Sequence, residues 1–194
     1  MAQRMARSAA AGSVRIIAGQ WRGRRLAFPA RAGLRPTGDR LRETLFNWLQ
    51  PHCPGAHCLD LFAGSGALGL EAASRGAAWV TLVERDPETA RALRANCALL
   101  GAGMTEVIEA DALAWLEGPP PATPYDIAFV DPPFAAAAPA AALRALAAPG
   151  WLAERAWIYL ETARDRPPPA LPERWCRHRE AVAGAVRCQL FRCI

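Results

Sequence analysis

The chain has 194 residues, 52% of them hydrophobic, which is enough for one ordinary domain with a full core and too apolar for a disordered chain. All 23 basic residues are arginines and the net charge is +5, unevenly spread: residues 1–50 stand at +8 and the other 144 at −3. No apolar run reaches membrane-spanning length, and Cys53, Cys58, Cys97, Cys176, Cys188 and Cys193 form no CxxC or zinc spacing, so we expect reduced thiols, no metal and a cytoplasmic protein.

Met1–Ser13 lacks the continuous apolar stretch of a secretory signal and reads as a flexible leader. Val14 to Leu26 reads as a short hairpin: an apolar strand, a turn near Gly19, then a basic strand with Arg22, Arg24 and Arg25. Trp21 and Phe28 lie among these arginines. Guanidinium forks suit phosphate oxygens and aromatic faces suit unpaired bases, so this segment reads as a polyanion-binding arm; the plain alternative is a solvated, charged leader. Next, Leu41, Leu45, Trp48 and Leu49 fall on one face of a helix, with Thr37 or Asp39 as its N-cap and Arg40 and Arg42 on another face. From Cys58 the pattern alternates. Strands are predicted at Cys58–Ala63, Trp79–Glu84, Thr105–Ala110, Tyr125–Asp131 and Ala156–Glu161. Helices are predicted at Gly64–Arg75, Pro87–Leu100, Ala112–Glu117 and Ala138–Ala148. Five alternating units make a doubly wound parallel α/β sheet, and the final strands Trp175–Ala183 and Ala185–Arg192 add an antiparallel edge. The organisation is then a leader (1–13), a basic hairpin and helix (14–50) and a Rossmann-like domain (51–194).

Two stretches carry chemistry. Gly64, Gly66 and Gly69 form G-x-G-x-x-G between a strand and a helix, and Glu84 ends the next strand, where a carboxylate can grip ribose hydroxyls. The motif by itself fits a dinucleotide as well as S-adenosylmethionine. Asp60 before the glycines suits an ammonium group rather than a pyrophosphate, and Asp111 suits an adenine amino group; both favour the methionine derivative. The second stretch is Tyr125-Asp126-Ile127-Ala128-Phe129-Val130-Asp131-Pro132-Pro133-Phe134. An apolar strand stops at an acid, two prolines that cannot donate to a ladder, and a ring. At the carboxyl edge of a parallel sheet this suits a planar, nitrogen-bearing base.

A glycine turn, an acid after the second strand, Asp111 after the third and Asp-Pro-Pro-Phe after the fourth resemble the class I S-adenosylmethionine-dependent methyltransferases that act on exocyclic or amide nitrogens. More narrowly, the chain resembles the RsmD family, bacterial methyltransferases of a guanine N2 in small-subunit (16S) ribosomal RNA. The matching runs include Arg15-Ile16-Ile17-Ala18-Gly19, Trp21-Arg22-Gly23-Arg24, Leu34-Arg35-Pro36-Thr37, Asp39-Arg40, Arg42–Leu49, Phe62–Gly69 and Phe129–Phe134, with a late His178-Arg179-Glu180. Gln20 departs from the family's usual basic residue. The resemblance implies that S-adenosylmethionine lies against Asp60, Phe62, Gly64, Ser65, Gly66, Glu84, Arg85, Asp111 and Ala112. It implies a catalytic loop of Asp131, Pro132, Pro133 and Phe134, with Asp131 and the Pro132 carbonyl accepting the amine hydrogens and Phe134 stacking on a flipped guanine. RNA contacts are expected from Arg15, Arg22, Arg24, Arg25, Arg35, Arg40 and Arg42. A 30S particle or assembly intermediate is the expected partner, and the enzyme is expected to be a monomer. Adenine N6 methylation is the alternative that the four-residue loop equally permits.

Overall fold

The computed structural model describes residues 12–29, 38–132 and 138–194. At the amino-terminal end β1 (Gly12–Arg15) and β2 (Arg25–Phe28) pair antiparallel, from Gly12 opposite Phe28 to Arg15 opposite Arg25. The expected hairpin is present, but its connection is a long loop rather than a tight turn at Gly19. That loop folds back on itself through Ile16 N–H to the Arg24 carbonyl and Gly23 N–H to the Ile16 carbonyl. Helix α1 (Asp39–Leu49) follows, burying Leu41, Leu45, Phe46 and Leu49. Each buried side chain of that size contributes roughly 1.5–3 kcal/mol. Phe46 meets Phe129 of the main sheet at 5.8 Å between ring centroids. Gly38 occupies the N-cap position with no side-chain bond, Asp39 lies inside the first turn, and Thr37 is outside the described residues.

The body is a seven-stranded sheet. Its strands are β3 (His57–Asp60), β4 (Trp79–Glu84), β5 (Thr105–Glu109), β6 (Tyr125–Val130), β7 (Leu152–Ala163), β8 (Trp175–Ala183) and β9 (Val186–Cys193). Between them run α2 (Gly69–Ser74), α3 (Pro87–Leu100), α4 (Ala112–Leu116) and α5 (Ala138–Leu146). The spatial order is β5-β4-β3-β6-β7-β9-β8. Strands β3 to β7 are parallel, and β9 runs antiparallel between β7 and β8. The chain order reverses between β3 and β6, where open α/β sheets open their ligand crevice. Two apolar layers cover the two faces. One joins α1, α2 and the hairpin to Phe129 and Tyr159; the other joins α4 and α5 to Val130, Ile158 and Leu160.

The strand expected to reach Ala63 stops at Asp60, where the glycine turn begins, and two further expected boundaries move for physical reasons. The helix expected from Gly64 starts only at Gly69, because Gly64 (φ 50°) and Gly66 (φ 79°) take left-handed conformations that no helix contains. Strand β7 is longer than the apolar run Ala156–Glu161: it pairs with both β6 and β9, so ladder bonds carry it past its apolar segment. Helix α3 begins and ends as expected, with Pro87 in its first turn and the Asp86 side chain capping Thr89 N–H.

Candidate active site

The glycine turn leaves β3 at Asp60 and is braced from both sides. Glu84, at the carboxyl end of β4, accepts Gly64 N–H at 2.9 Å with one oxygen and Asp86 N–H at 2.8 Å with the other. Asp60 is 1% exposed and accepts Gly69 N–H, the first amide of α2, at 2.8 Å. Burial pushes its pKa up to about 7, against the lowering effect of the Gly69 amide. Asp60 thus supports the loop from behind. Glycine at position 69 lets Asp60 come close: a Cβ there would stand 3.1 Å from the Asp60 Cβ and push the Leu82 side-chain tip aside. Ser65 is buried, Phe62 and Gly64 are half-buried, and Arg85 is exposed.

The neighbouring strand ends complete the edge. Asp111, exposed after β5, accepts Leu113 and Ala114 N–H with one oxygen and so N-caps α4, whose first residue Ala112 is buried. Asp131 follows β6 half-buried and Pro132 is buried; Pro133 and Phe134 lie outside the described residues. On the next strand Glu161, 4% exposed, accepts the Tyr159 hydroxyl at 2.6 Å. Burial and then the negative charge of Glu161 raise the Tyr159 pKa well above its ordinary value, with Asp131 adding a smaller push. Tyr159 therefore stays a hydrogen-bond donor. Sequence reasoning passed over Glu161, although an acid ending the run Trp157-Ile158-Tyr159-Leu160 was a readable signal.

The arm sorts the expected RNA contacts into two groups. Arg15, Arg22, Arg24, Arg25 and Arg40 are exposed, while Arg35 is outside the described residues. Arg42 is corrected: it is fully buried. Its guanidinium donates to Asp39 Oδ1 at 2.7 Å, to the Arg15 carbonyl at 2.9 Å and to the Ala67 carbonyl at 3.4 Å. The Arg42–Asp39 bond leads the causes that hold the Asp39 carboxyl below its ordinary pKa. Trp21 and Phe28 are corrected too, since both are packed into the core instead of offered to bases. The periodicity of α1 put Arg42 off the apolar face, but the hairpin covers that side of the helix.

What docks the arm is Glu71 of α2, buried completely. It accepts Ile17 N–H at 2.7 Å, Ala18 N–H at 3.0 Å and Arg75 Nε–H at 2.7 Å, and stands 4.0 Å from Arg42. Ser74 finishes the clasp by accepting Trp21 N–H and donating to the Ala18 carbonyl. An acid inside Gly69-Leu70-Glu71-Ala72-Ala73 was the signal in the sequence; its loop partners, Ile17 and Ala18, lie more than fifty positions away.

Strand order, glycine turn and a row of acceptor residues at the carboxyl ends of β4, β5 and β6 define a class I methyltransferase fold. The carboxylates of Glu84 and Asp111 at this edge are hydrogen-bond acceptors, and the turn from Phe62 to Gly69 carries no basic side chain. Residues 14–192 match the family model described as Conserved hypothetical protein 95. The Ribosomal RNA small subunit methyltransferase D of Escherichia coli is 49% identical over 180 residues, covering 93% of this chain and 90% of that protein. Its Haemophilus influenzae namesake is 45% identical over 184 residues, covering 94% and 95%. The solved structure of yhhF from Escherichia coli superposes with a TM-score of 0.88 at 47% identity, covering 94% of this chain and 98% of that one. The chain belongs to this family of methyltransferases, the one its sequence resembles.

Proposed function

We propose that the protein transfers a methyl group from S-adenosylmethionine to the exocyclic N2 of a guanine in small-subunit (16S) ribosomal RNA. The observation that carries this reading is Asp131-Pro132 ending β6 beside the glycine turn, in a chain whose relatives are named for methylating that RNA. S-adenosylmethionine supplies an electrophilic methyl on a positive sulfonium. Phe62, Gly64, Ser65, Gly66, Glu84, Arg85, Asp111 and Ala112 would hold it, with Asp60 supporting the turn from behind.

A guanine amino nitrogen is a poor nucleophile because its lone pair is delocalised into the ring. The Asp131 carboxylate and the Pro132 carbonyl accept its two N–H groups and draw the lone pair out of conjugation. Held this way, the nitrogen lone pair would form the N–C bond while the C–S bonding pair stays on sulfur, and the surplus N–H proton would pass to Asp131 or to water. Positioning supplies most of the rate. The guanine has to leave its stack to reach the edge, which costs a few kcal/mol and favours an accessible loop base. The segment 14–50 would hold the surrounding RNA through Arg15, Arg22, Arg24, Arg25 and Arg40. A short arm and a structured target favour a 30S particle or assembly intermediate as substrate, with a monomeric, cytoplasmic enzyme. No helix among the described residues is long and apolar enough to cross a membrane.

The test is transfer of labelled methyl to small subunits, their RNA and DNA from cells lacking the enzyme, followed by nucleoside analysis. Label in N2-methylguanosine is the expected result; label in N6-methyladenine would overturn it. Asp131→Ala should lower turnover about 100- to 1,000-fold with cofactor binding intact, a loss on the scale of removing a preorganised polar group from a reaction centre. Unchanged turnover would remove Asp131 from the mechanism.

A further inference from the structure

One late run of the chain, His178-Arg179-Glu180, has no part in that mechanism. It lies on β8, the outermost strand of the sheet, where the register with β9 shifts between Arg177 and Arg179. A bulge re-aims a side chain, and here His178 reaches the Trp157 ring of β7, edge-on at 4.9 Å between centroids. His52, just past α1, lies against the same ring at 4.7 Å, and the Arg192 guanidinium of β9 sits 5.2 Å over it. Arg179 joins them: it pairs with Leu190 and stands two residues before Ala181, both of which pack in the layer that holds Trp157. Opposed residues of neighbouring strands share a face, as do residues two apart along a strand. Four basic side chains thus gather on the α1 side of the sheet, three of them around one buried tryptophan.

These charges are not neutralised. Arg177 pairs with Phe191 of the other layer and, with Arg187, shares Glu180 there. Among the described residues neither Arg179 nor Arg192 has a carboxylate within ion-pair distance. Burial, then the positive charges of Arg192 and His178, lower the His52 pKa, with no acid acting against them. A guanidinium stacked by its face on a ring keeps the N–H donors round its rim for a phosphate. His52, His178 and Arg179 stand exposed beside it. Helix α1 joins this patch to the arm: Asp39 in its first turn meets Arg15, and its far end leads to His52 after 11 residues, roughly 16 Å of helix.

We propose that His52, His178, Arg179 and Arg192 form a second RNA contact, gripping backbone phosphates one helix length from those held by the amino-terminal arm. The inference rests on the ribosomal RNA reading above and adds where a second stretch of that RNA lies. One short arm holds an RNA but lets it swing. Two separated phosphate contacts fix its register and orientation, which an enzyme that takes one base from a large RNA requires.

Arg179→Gln and Arg192→Gln each remove one charge, and the first, at an exposed position of an edge strand, is expected to fold as the wild type does. Binding to small subunits from cells lacking the enzyme is measured from about 50 to 200 mM salt, with steady-state methyl transfer alongside. Each variant should raise KM and weaken binding about two- to fivefold at unchanged kcat. The slope of log affinity against log salt should flatten by roughly 0.7–0.9 per charge removed. Arg179→Lys, which keeps the charge, should restore the slope. Cys176, the one exposed cysteine, pairs with Arg192 across β8 and β9 and offers a native thiol for a photocrosslinker, whose crosslinks should land in small-subunit RNA. A wild type that puts no methyl into small subunits overturns the ribosomal RNA reading, and this inference with it. Where the wild type does methylate them, unchanged KM and salt slope in both variants overturn the inference alone, leaving these charges the task of keeping a sheet edge from pairing. Crosslinks to ribosomal proteins only also overturn it, since they would set an acidic protein surface against the patch.

Discussion

Removing the Glu71 carboxylate should undock the amino-terminal arm and cost the protein a large share of its stability. In Glu71→Ala, two backbone amides of the loop, Ile17 and Ala18, lose an acceptor at 2.7 and 3.0 Å, and the 2.7 Å bond from Arg75 disappears. Hydrogen bonds to a charged group contribute about 1.5–3 kcal/mol each, though not additively within one network. Arg42 keeps Asp39, so the variant does not leave its buried guanidinium without any carboxylate. Breaking a buried ion pair from one side typically costs about 3–5 kcal/mol, and we expect that range here. Against a usual stability of about 5–15 kcal/mol this is severe. With a urea m-value near 2 kcal/mol/M, the midpoint should fall by about 2 M. Urea unfolding followed by tryptophan fluorescence reads the shift, and protease cleavage between residues 16 and 24 at low urea reads the undocking. Glu71→Gln, which keeps one carbonyl acceptor, should lose about half as much. A loss under ~1 kcal/mol in Glu71→Ala, with the loop still protected, would refute the clasp.

Two other outcomes follow from the same geometry. Gly19 and Gly23 share a left-handed φ (80° and 83°), but a Cβ at Gly19 would overlap the Ser74 carbonyl, whereas one at Gly23 meets nothing within 4 Å. Gly23→Ala should therefore cost only the backbone strain of about 1–2 kcal/mol, and Gly19→Ala at least ~2 kcal/mol more. Equal losses in thermal or urea unfolding would mean that the loop does not press on α2. Asp60 gives a pH signature. Its folded pKa, about 7, lies above the ordinary 3.8, so between those values the folded protein holds a proton that the unfolded chain releases. Stability from this group is complete below pH ~4 and declines as pH rises to ~7, by at most about 1.4 kcal/mol per unit. Asp60→Asn should flatten that slope in unfolding measured from pH 4 to 8; parallel curves for the two proteins would show that Asp60 is ionised throughout.

Much of the site was legible in the chain because local rules dictate it. An apolar strand run into Asp131 and two prolines has to stop, and Pro87 after Asp86 has to start a helix. Spacing alone brought Gly64, Gly66 and Glu84 to one edge, and Glu84 does brace Gly64. The same reasoning mistook Trp21, Phe28 and Arg42 for RNA-facing groups, since composition records that a residue is basic or aromatic and not which surface covers it. Burial is a property of what packs on top, and here the cover comes from elements far apart in the chain.

The sequence by itself determined the alternation of strands and helices, the glycine turn and the acid at each strand end, all of which follow from periodicity, proline and glycine within a few residues. Only the tertiary structure decided the partners of Glu71, the burial of Arg42 and the bond between Glu161 and the Tyr159 hydroxyl. Each of those depends on long-range docking and strand register, where a buried charge is tolerated only if distant donors and acceptors arrive together.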